Sequence, residues 1–142
     1  MQKILFNFFI MLLLIGLTGC SNHVKLSGRV TYSDTNEPLE AGTVIFLAES
    51  ETFQARGEIE KDGSYVLATL RENDGLPPGN YRVYVNSAYR YETQENAPTV
   101  EIRLITDKYT SPETSGLVLK VDSSTKKFDF QVDRAPGSKK KN

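Results

Sequence analysis

The sequence holds no tryptophan, one cysteine and one histidine in 142 residues. A lone cysteine excludes an intramolecular disulfide, and one His with one Cys cannot furnish the usual four-ligand zinc site. Neither sign of charge dominates. Seventeen Lys and Arg stand against 18 Asp and Glu, and a formal charge of −1 creates no field that would attract nucleic acid. Beyond residue 19, no window keeps the three-and-four apolar spacing of an amphipathic helix. At 39% hydrophobic and 25% charged, the chain has the composition of an ordinary globular protein with room for about one domain.

The apolar residues are unevenly spread. Both Met, and Phe6, Phe8 and Phe9, fall in the first stretch. Lys3 supplies a positive start, and residues 4–17 are apolar apart from Asn7 and Gly16. As a helix those residues would span roughly 21 Å, short of the ~30 Å hydrocarbon core, so the run predicts a secretory signal over residues 1–19. Leu17, Thr18 and Gly19 then lead into Cys20. This tetrapeptide resembles a bacterial lipobox, which implies cleavage before Cys20 and acylation of its thiol and new amine. Two or three acyl chains anchor firmly where one would not. Residues 20–23 form the expected tether. By the same resemblance, Ser21 in place of Asp implies sorting to the outer membrane of the cell envelope, facing periplasm or exterior.

From Val24 the pattern changes to period two. Val24, Leu26, Gly28, Val30 and Tyr32 alternate with polar residues, predicting a strand with one dry face. Thr43–Ala48 is nearly all apolar, as a strand central in its sheet would be. Residues 53–60 predict a more polar, edge-like strand, and Lys61, Asp62 and Gly63 a hairpin turn. Residues 64–70 follow as a strand with Tyr65 and Leu67 inward. Pro77, Pro78 and their neighbours make a corner. Tyr81, Val83 and Val85 alternate with Arg82, Tyr84 and Asn86 as a fifth strand. Residues 88–99 are expected to be a polar loop, and Val100, Ile102 and Leu104 a sixth strand. Leu117, Leu119 and Val121 are expected to pair with Phe128, Phe130 and Val132 as a closing hairpin. Seven or eight short strands predict an all-β sandwich over residues 24–134. Residues 135–142, with Lys139, Lys140 and Lys141, predict a disordered basic tail.

These residues resemble a family: small bacterial lipoproteins with a carboxypeptidase regulatory-like, or transthyretin-like, domain. LSGRVTY at 26–32 is similar to the family's opening "V-x-G-x-V" strand. Ala55, Arg56 and Gly57 with KDGSYVL at 61–67 are similar to its "A-x-G … D-x-D-G-x-Y/F-x-L" block. LPPGNYRVYV at 76–85 and KYTSPETSGL at 108–117 complete the order. The resemblance implies a Greek-key sandwich of the transthyretin or prealbumin type. A transthyretin-like relative hydrolyses 5-hydroxyisourate with His and Arg residues and a Tyr-Arg-Gly-Ser ending. This chain has only His23, outside the sandwich, and ends Lys-Lys-Lys-Asn.

Without a His base in the fold, neither a proton shuttle of the usual kind nor a Ser-His-Asp triad is expected, so no catalytic residue and no cofactor are assigned. Glu58, Glu60, Asp62, Glu72 and Asp74 read as solvated edge charges and turn formers rather than calcium ligands. Tyr84, Tyr89, Arg90 and Tyr91 form a candidate binding patch, able to stack on sugar rings or anchor a protein. Lys108, Tyr109, Pro112, Ser115 and Gly116 read as a structural motif, with Tyr109 in a corner role. The expectation is a non-catalytic, envelope-anchored structural or interaction module. Its partners would be the membrane through its lipid and an envelope protein or glycan. Carbohydrate binding or adhesion through residues 84–91 is the alternative.

Overall fold

The computed structural model describes residues 23–69, 74–93 and 95–138. The signal segment, Cys20, Ser21, Glu72 and the terminal lysines lie outside them. Nine strands are present among the described residues: β1 (Ser27–Tyr32), β2 (Thr43–Ala48), β3 (Gln54–Glu58), β4 (Ser64–Val66), β5 (Gly79–Asn86), β6 (Tyr89–Glu92), β7 (Val100–Arg103), β8 (Leu117–Val121) and β9 (Phe130–Val132). One 3-10 turn, Asp107–Thr110, precedes β8.

The strands form a sheet ordered β4-β1-β9, a second ordered β3-β2-β5-β8, and a β6-β7 ribbon. The protein is an all-β sandwich. Alternation decides which residues meet in its core. Val24, Leu26, Val30 and Tyr32 of the first run are buried, as are Val44 and Phe46 of β2 and Tyr81, Val83 and Val85 of β5. The Phe46 ring lies 6.1 Å from Tyr81 and 5.9 Å from Phe128, joining the two sheets through aromatic contacts. As its composition predicts, β2 is central, and the more polar β3 is an edge.

Gly28 explains why the opening strand carries a glycine in its dry row. A Cβ there would lie 1.9 Å from the Phe128 carbonyl oxygen and 2.6 Å from the Tyr65 hydroxyl. That hydroxyl is the buried tip of an inward Tyr, and it donates to the same carbonyl at 2.6 Å. Burial and the nearby Asp129 charge push the Tyr65 phenol far above its usual pKa, so it remains a donor. At the Asp62-Gly63 turn, Gly63 takes φ 81°, a left-handed conformation that suits glycine. The Asp62 carboxylate accepts from both the Ser64 amide and hydroxyl, at 3.0 and 2.6 Å.

Three expectations are corrected. The turn at residues 61–63 does not join a paired hairpin, because β3 pairs with β2 while β4 crosses to β1. The turn itself closes through the Glu60 amide on the Ser64 carbonyl and the Gly63 amide on the Glu60 carbonyl, and an Arg56–Ala68 bridge ties the two edges again. Likewise, residues 117–121 and 128–132 are not hairpin partners. β8 pairs antiparallel with β5, and β9 pairs parallel with β1. Alternation sets which face of a strand is dry but not which sheet receives it. Residues 88–99 are not wholly loop, since Tyr89–Glu92 pairs with Val100–Arg103. This adds a strand beyond the seven or eight expected.

The tail also departs from its expected disorder as far as Ser138. The Ala135 amide donates to the Leu104 carbonyl at 3.0 Å, and Ala135 and Ser138 are both buried. Backbone pairing here substitutes for the apolar side chains that the segment lacks.

The two ends of the domain lie at opposite poles. Val24 pairs with Leu76 just ahead of β5, which puts the starts of β1 and β5 together. Parallel pairing carries β9 the length of β1, to Asp133 and Arg134, where Ile105 bridges Arg134. The Leu104 amide bonds the Ala88 carbonyl beside them. The end of β5, the ribbon and the 3-10 turn therefore crowd the pole away from Val24.

Candidate functional site

The four residues of the predicted aromatic patch are not presented together. Tyr84 sits on β5 opposite Ile45, half-buried on the outer face of its sheet. Tyr91 is 65% exposed on the ribbon, and its hydroxyl donates to Glu101 at 3.0 Å. That hydrogen bond, joined by the Glu101 charge, raises its pKa. Tyr89 is half-buried and lines a cleft.

Arg90 points into the protein. Its side chain is 16% exposed, and its guanidinium pairs with Glu40 at 3.2 Å and Glu92 at 2.9 Å and donates to the Ser138 carbonyl at 3.3 Å. Burial works against its charge, but the hydrogen bonds to Glu92 and Glu40 outweigh it and raise the pKa. Arg90 thus fastens the ribbon to the turn before β2 and to the C-terminal segment. Glu40 and Ser138 stand 50 and 48 positions away, so no local pattern marks either partner.

The second predicted group gathers around Asp133. Tyr109, buried on the 3-10 turn, donates to Asp133 Oδ2 at 3.0 Å, and Ser33 donates to Oδ1 at 2.7 Å. The Lys108 ammonium lies 3.3 Å from the Tyr109 hydroxyl and 4.8 Å from its ring centroid. The hydrogen bonds from Ser33 and Tyr109, helped by Lys108, hold the Asp133 carboxyl below its ordinary pKa against a small desolvation effect. Farther along, the Thr114 hydroxyl donates to the Lys108 carbonyl at 2.7 Å, and the Leu117 amide donates to buried Ser115 Oγ at 3.2 Å. Pro112 is half-buried within this loop, and Gly116, at φ 68°, leads into β8.

Sequence reasoning missed Arg134. Its guanidinium pairs with Glu37 at 2.9 Å and Asp34 at 3.4 Å, and lies 3.5 Å from the Tyr32 ring centroid. Of the carboxylates weighed as calcium ligands, Glu58, Asp62 and Asp74 are engaged in turns and strands. Glu58 accepts from Thr43, and Asp74 from the Thr69 amide and hydroxyl at 2.6 Å each. Among the described residues, no group of three His, Cys, Asp or Glu could hold a metal ion. His23 lies at the Val24 pole, its ring 6.4 Å from Phe53.

Two clefts mark the poles. One of about 390 Å³ opens near Val24, between Phe53, Pro77, Pro78 and Tyr81. The other, of about 230 Å³, lies at the far pole and is lined by Asn86, Ser87, Ala88, Tyr89, Arg103, Ile105, Asp107 and Thr110.

No family profile matches the chain, and no curated protein matches it. Among solved structures it is similar to BcpA, the major pilin subunit of Bacillus cereus. That likeness has a TM-score of 0.50 at 10% identity, over 79% of this chain and 30% of the pilin chain. It is also similar to a 9R-lipoxygenase from Cyanothece PCC8801, with a TM-score of 0.35 and 18% identity, over 78% of this chain and 16% of that one. The chain therefore spans less than a third of the length of either solved chain. At such identity the pilin likeness speaks to the fold alone, in agreement with the two packed sheets.

Proposed function

We propose that this chain is a lipoprotein held at the cell envelope through Cys20, with its sandwich acting as a non-catalytic structural or protein-interaction module. The observation that carries this reading is the short interval between the lipobox-like Leu17–Cys20 and the first backbone pairing of the fold, Val24 with Leu76. At no more than ~3.6 Å per residue, four residues reach about 14 Å. An acylated Cys20 would hold the Val24 pole close to the bilayer and present the opposite pole outward. The order of the motifs from LSGRVTY to KYTSPETSGL supports the transthyretin-like form of the sandwich.

A structural role agrees with how the charged groups are used. Arg90, Asp133 and Arg134 each join segments distant in sequence. Arg90 in particular has carboxylate and carbonyl partners within the domain, which leaves the predicted aromatic patch without its cation.

The test is metabolic labelling with a palmitate analogue in cells producing the natural chain and Cys20→Ser. Label on the natural protein alone, with the variant released from the membrane fraction, is the expected result. An unlabelled natural protein would overturn the anchor. In-cell crosslinking followed by mass spectrometry then tests the module, which fails if several growth conditions yield no envelope partner.

A further inference from the structure

We infer that the far-pole cleft bordered by Asn86, Tyr89, Arg103 and Asp107 binds a single ring of a neutral sugar. The chain builds this cleft by leaving its sheet abruptly. Ser87, a non-glycine residue, takes φ 54° directly after β5. Its amide is bonded by Asn86 Oδ1 at 2.8 Å, and its carbonyl accepts from the Tyr89 amide at 3.0 Å. Such a left-handed conformation is sparsely populated for a residue with a side chain, so the surrounding contacts hold it in place. The reversal swings β6 away from β5 and opens a gap between the ribbon and the 3-10 turn.

Charge and hydrogen bonding select the class of ligand. Arg103 and Asp107 are the charged residues lining the cleft, and they pair with each other. Their charges cancel, so the cleft offers no net attraction to a phosphate or a carboxylate. The Asn86 side-chain nitrogen and the Ser87 and Tyr89 hydroxyls make no hydrogen bond with the described residues. These unengaged groups include both donors and acceptors, which suits hydroxyls that both give and take protons. An apolar ligand would strip water from them without replacing its hydrogen bonds.

Tyr89 adds an aromatic face, the second element that a sugar ring uses through its C–H edges. At about 230 Å³ the space falls below the roughly 300–1,000 Å³ of sites for drug-sized molecules. It accommodates one ring, with the rest of a glycan outside. The site differs from the four-residue patch expected from sequence. Tyr89 belongs to both, but Tyr84, Arg90 and Tyr91 give way to Asn86, Arg103 and Asp107. It depends on the pole at which these residues meet and not on acylation of Cys20, so failure of the lipid labelling leaves it standing.

Saturation-transfer difference NMR tests the inference, using the full-length protein in micelles of a detergent without sugar groups. The probes are the methyl glycosides of glucose, galactose, mannose and N-acetylglucosamine, with glucuronate as the anionic comparison. At least one neutral glycoside is expected to receive saturation at millimolar concentration, in preference to glucuronate. Tyr89→Ala should weaken that binding about tenfold. Asp107→Asn should turn the preference toward glucuronate, and Tyr84→Ala should change nothing. If Tyr89→Ala unfolds by circular dichroism, Asn86→Ala takes its place with the same expected loss. Absence of transfer to every neutral glycoside, glucuronate preferred by the natural chain, or binding indifferent to the cleft substitutions would each overturn the proposal.

Discussion

The Tyr65 hydroxyl donates to the Phe128 carbonyl at 2.6 Å, passing over Gly28 where no side chain intervenes. Gly28→Ala would drive a methyl group into the Phe128 backbone carbonyl, which already accepts from Tyr65. A loss of about 3 kcal/mol or more is expected. Tyr65→Phe removes only the hydroxyl and should cost about 1–3 kcal/mol, because the half-buried carbonyl loses its donor. Urea unfolding followed by circular dichroism ranks the two; equal midpoints for Gly28→Ala and the natural chain would contradict the close approach.

Phe46 sits where the two sheets meet, fully buried against Tyr81 and Phe128. Phe46→Ala is expected to cost about 3–5 kcal/mol through lost contacts and the remaining cavity. Thermal melting should show a steep fall or no folded baseline. A change of only a degree or two would mean that the sheets can close over the gap.

Arg90 gives a different signature. Its pair with Glu40 is mostly shielded, while Glu92 is 44% exposed, so screening reduces the cost of breaking the set. Arg90→Ala should destabilise by about 1–3 kcal/mol. Arg90→Lys should recover less than half of this, because one ammonium cannot reproduce the fork between two carboxylates and a carbonyl. Full recovery in the lysine variant would show that charge alone suffices.

Acid should weaken the fold in a defined window. Asp62, Glu113, Asp122 and Asp133 are held below their ordinary values of 3.8 for Asp and 4.5 for Glu, led by hydrogen bonds from Ser64, Ser111, Ser124 and Ser33. The unfolded chain then takes up protons first as pH falls, so their contribution is complete above the ordinary values and vanishes through the lowered ones. The urea midpoint should change little between about pH 7 and 5 on their account and decline below about pH 4. Asp133→Asn should flatten that decline, and an identical slope in the variant would remove Asp133 from this account.

Much of the fold is legible in the chain because period-two alternation is strong where a strand has one dry face. Val30, Phe46 and Val83 each follow it and are fully buried. Legibility falls where a strand is stabilised by something other than burial. Tyr89–Glu92 carries mixed polar residues and is held by the ribbon and by Arg90, so it reads as loop. Val100 matches an inward pattern yet is 52% exposed, because its ribbon stands apart from the two sheets. Polar clusters are less legible still. Asp133 meets Ser33 and Arg134 meets Glu37 from positions 100 and 97 apart, and no spacing rule spans such an interval. The cleft at Asn86 needs the positive φ of Ser87, and Ser is not a residue that announces one.

The parallel pairing of β1 with β9 has a consequence for biogenesis. Arg29 and Asp129, bonded at 2.8 Å through a backbone amide, are 100 positions apart. The first strand to emerge during synthesis must therefore wait for nearly the last before its sheet is complete. Contacts of such long range delay folding. Until β9 arrives, the edge of β1 that it covers keeps its backbone groups open to other strands.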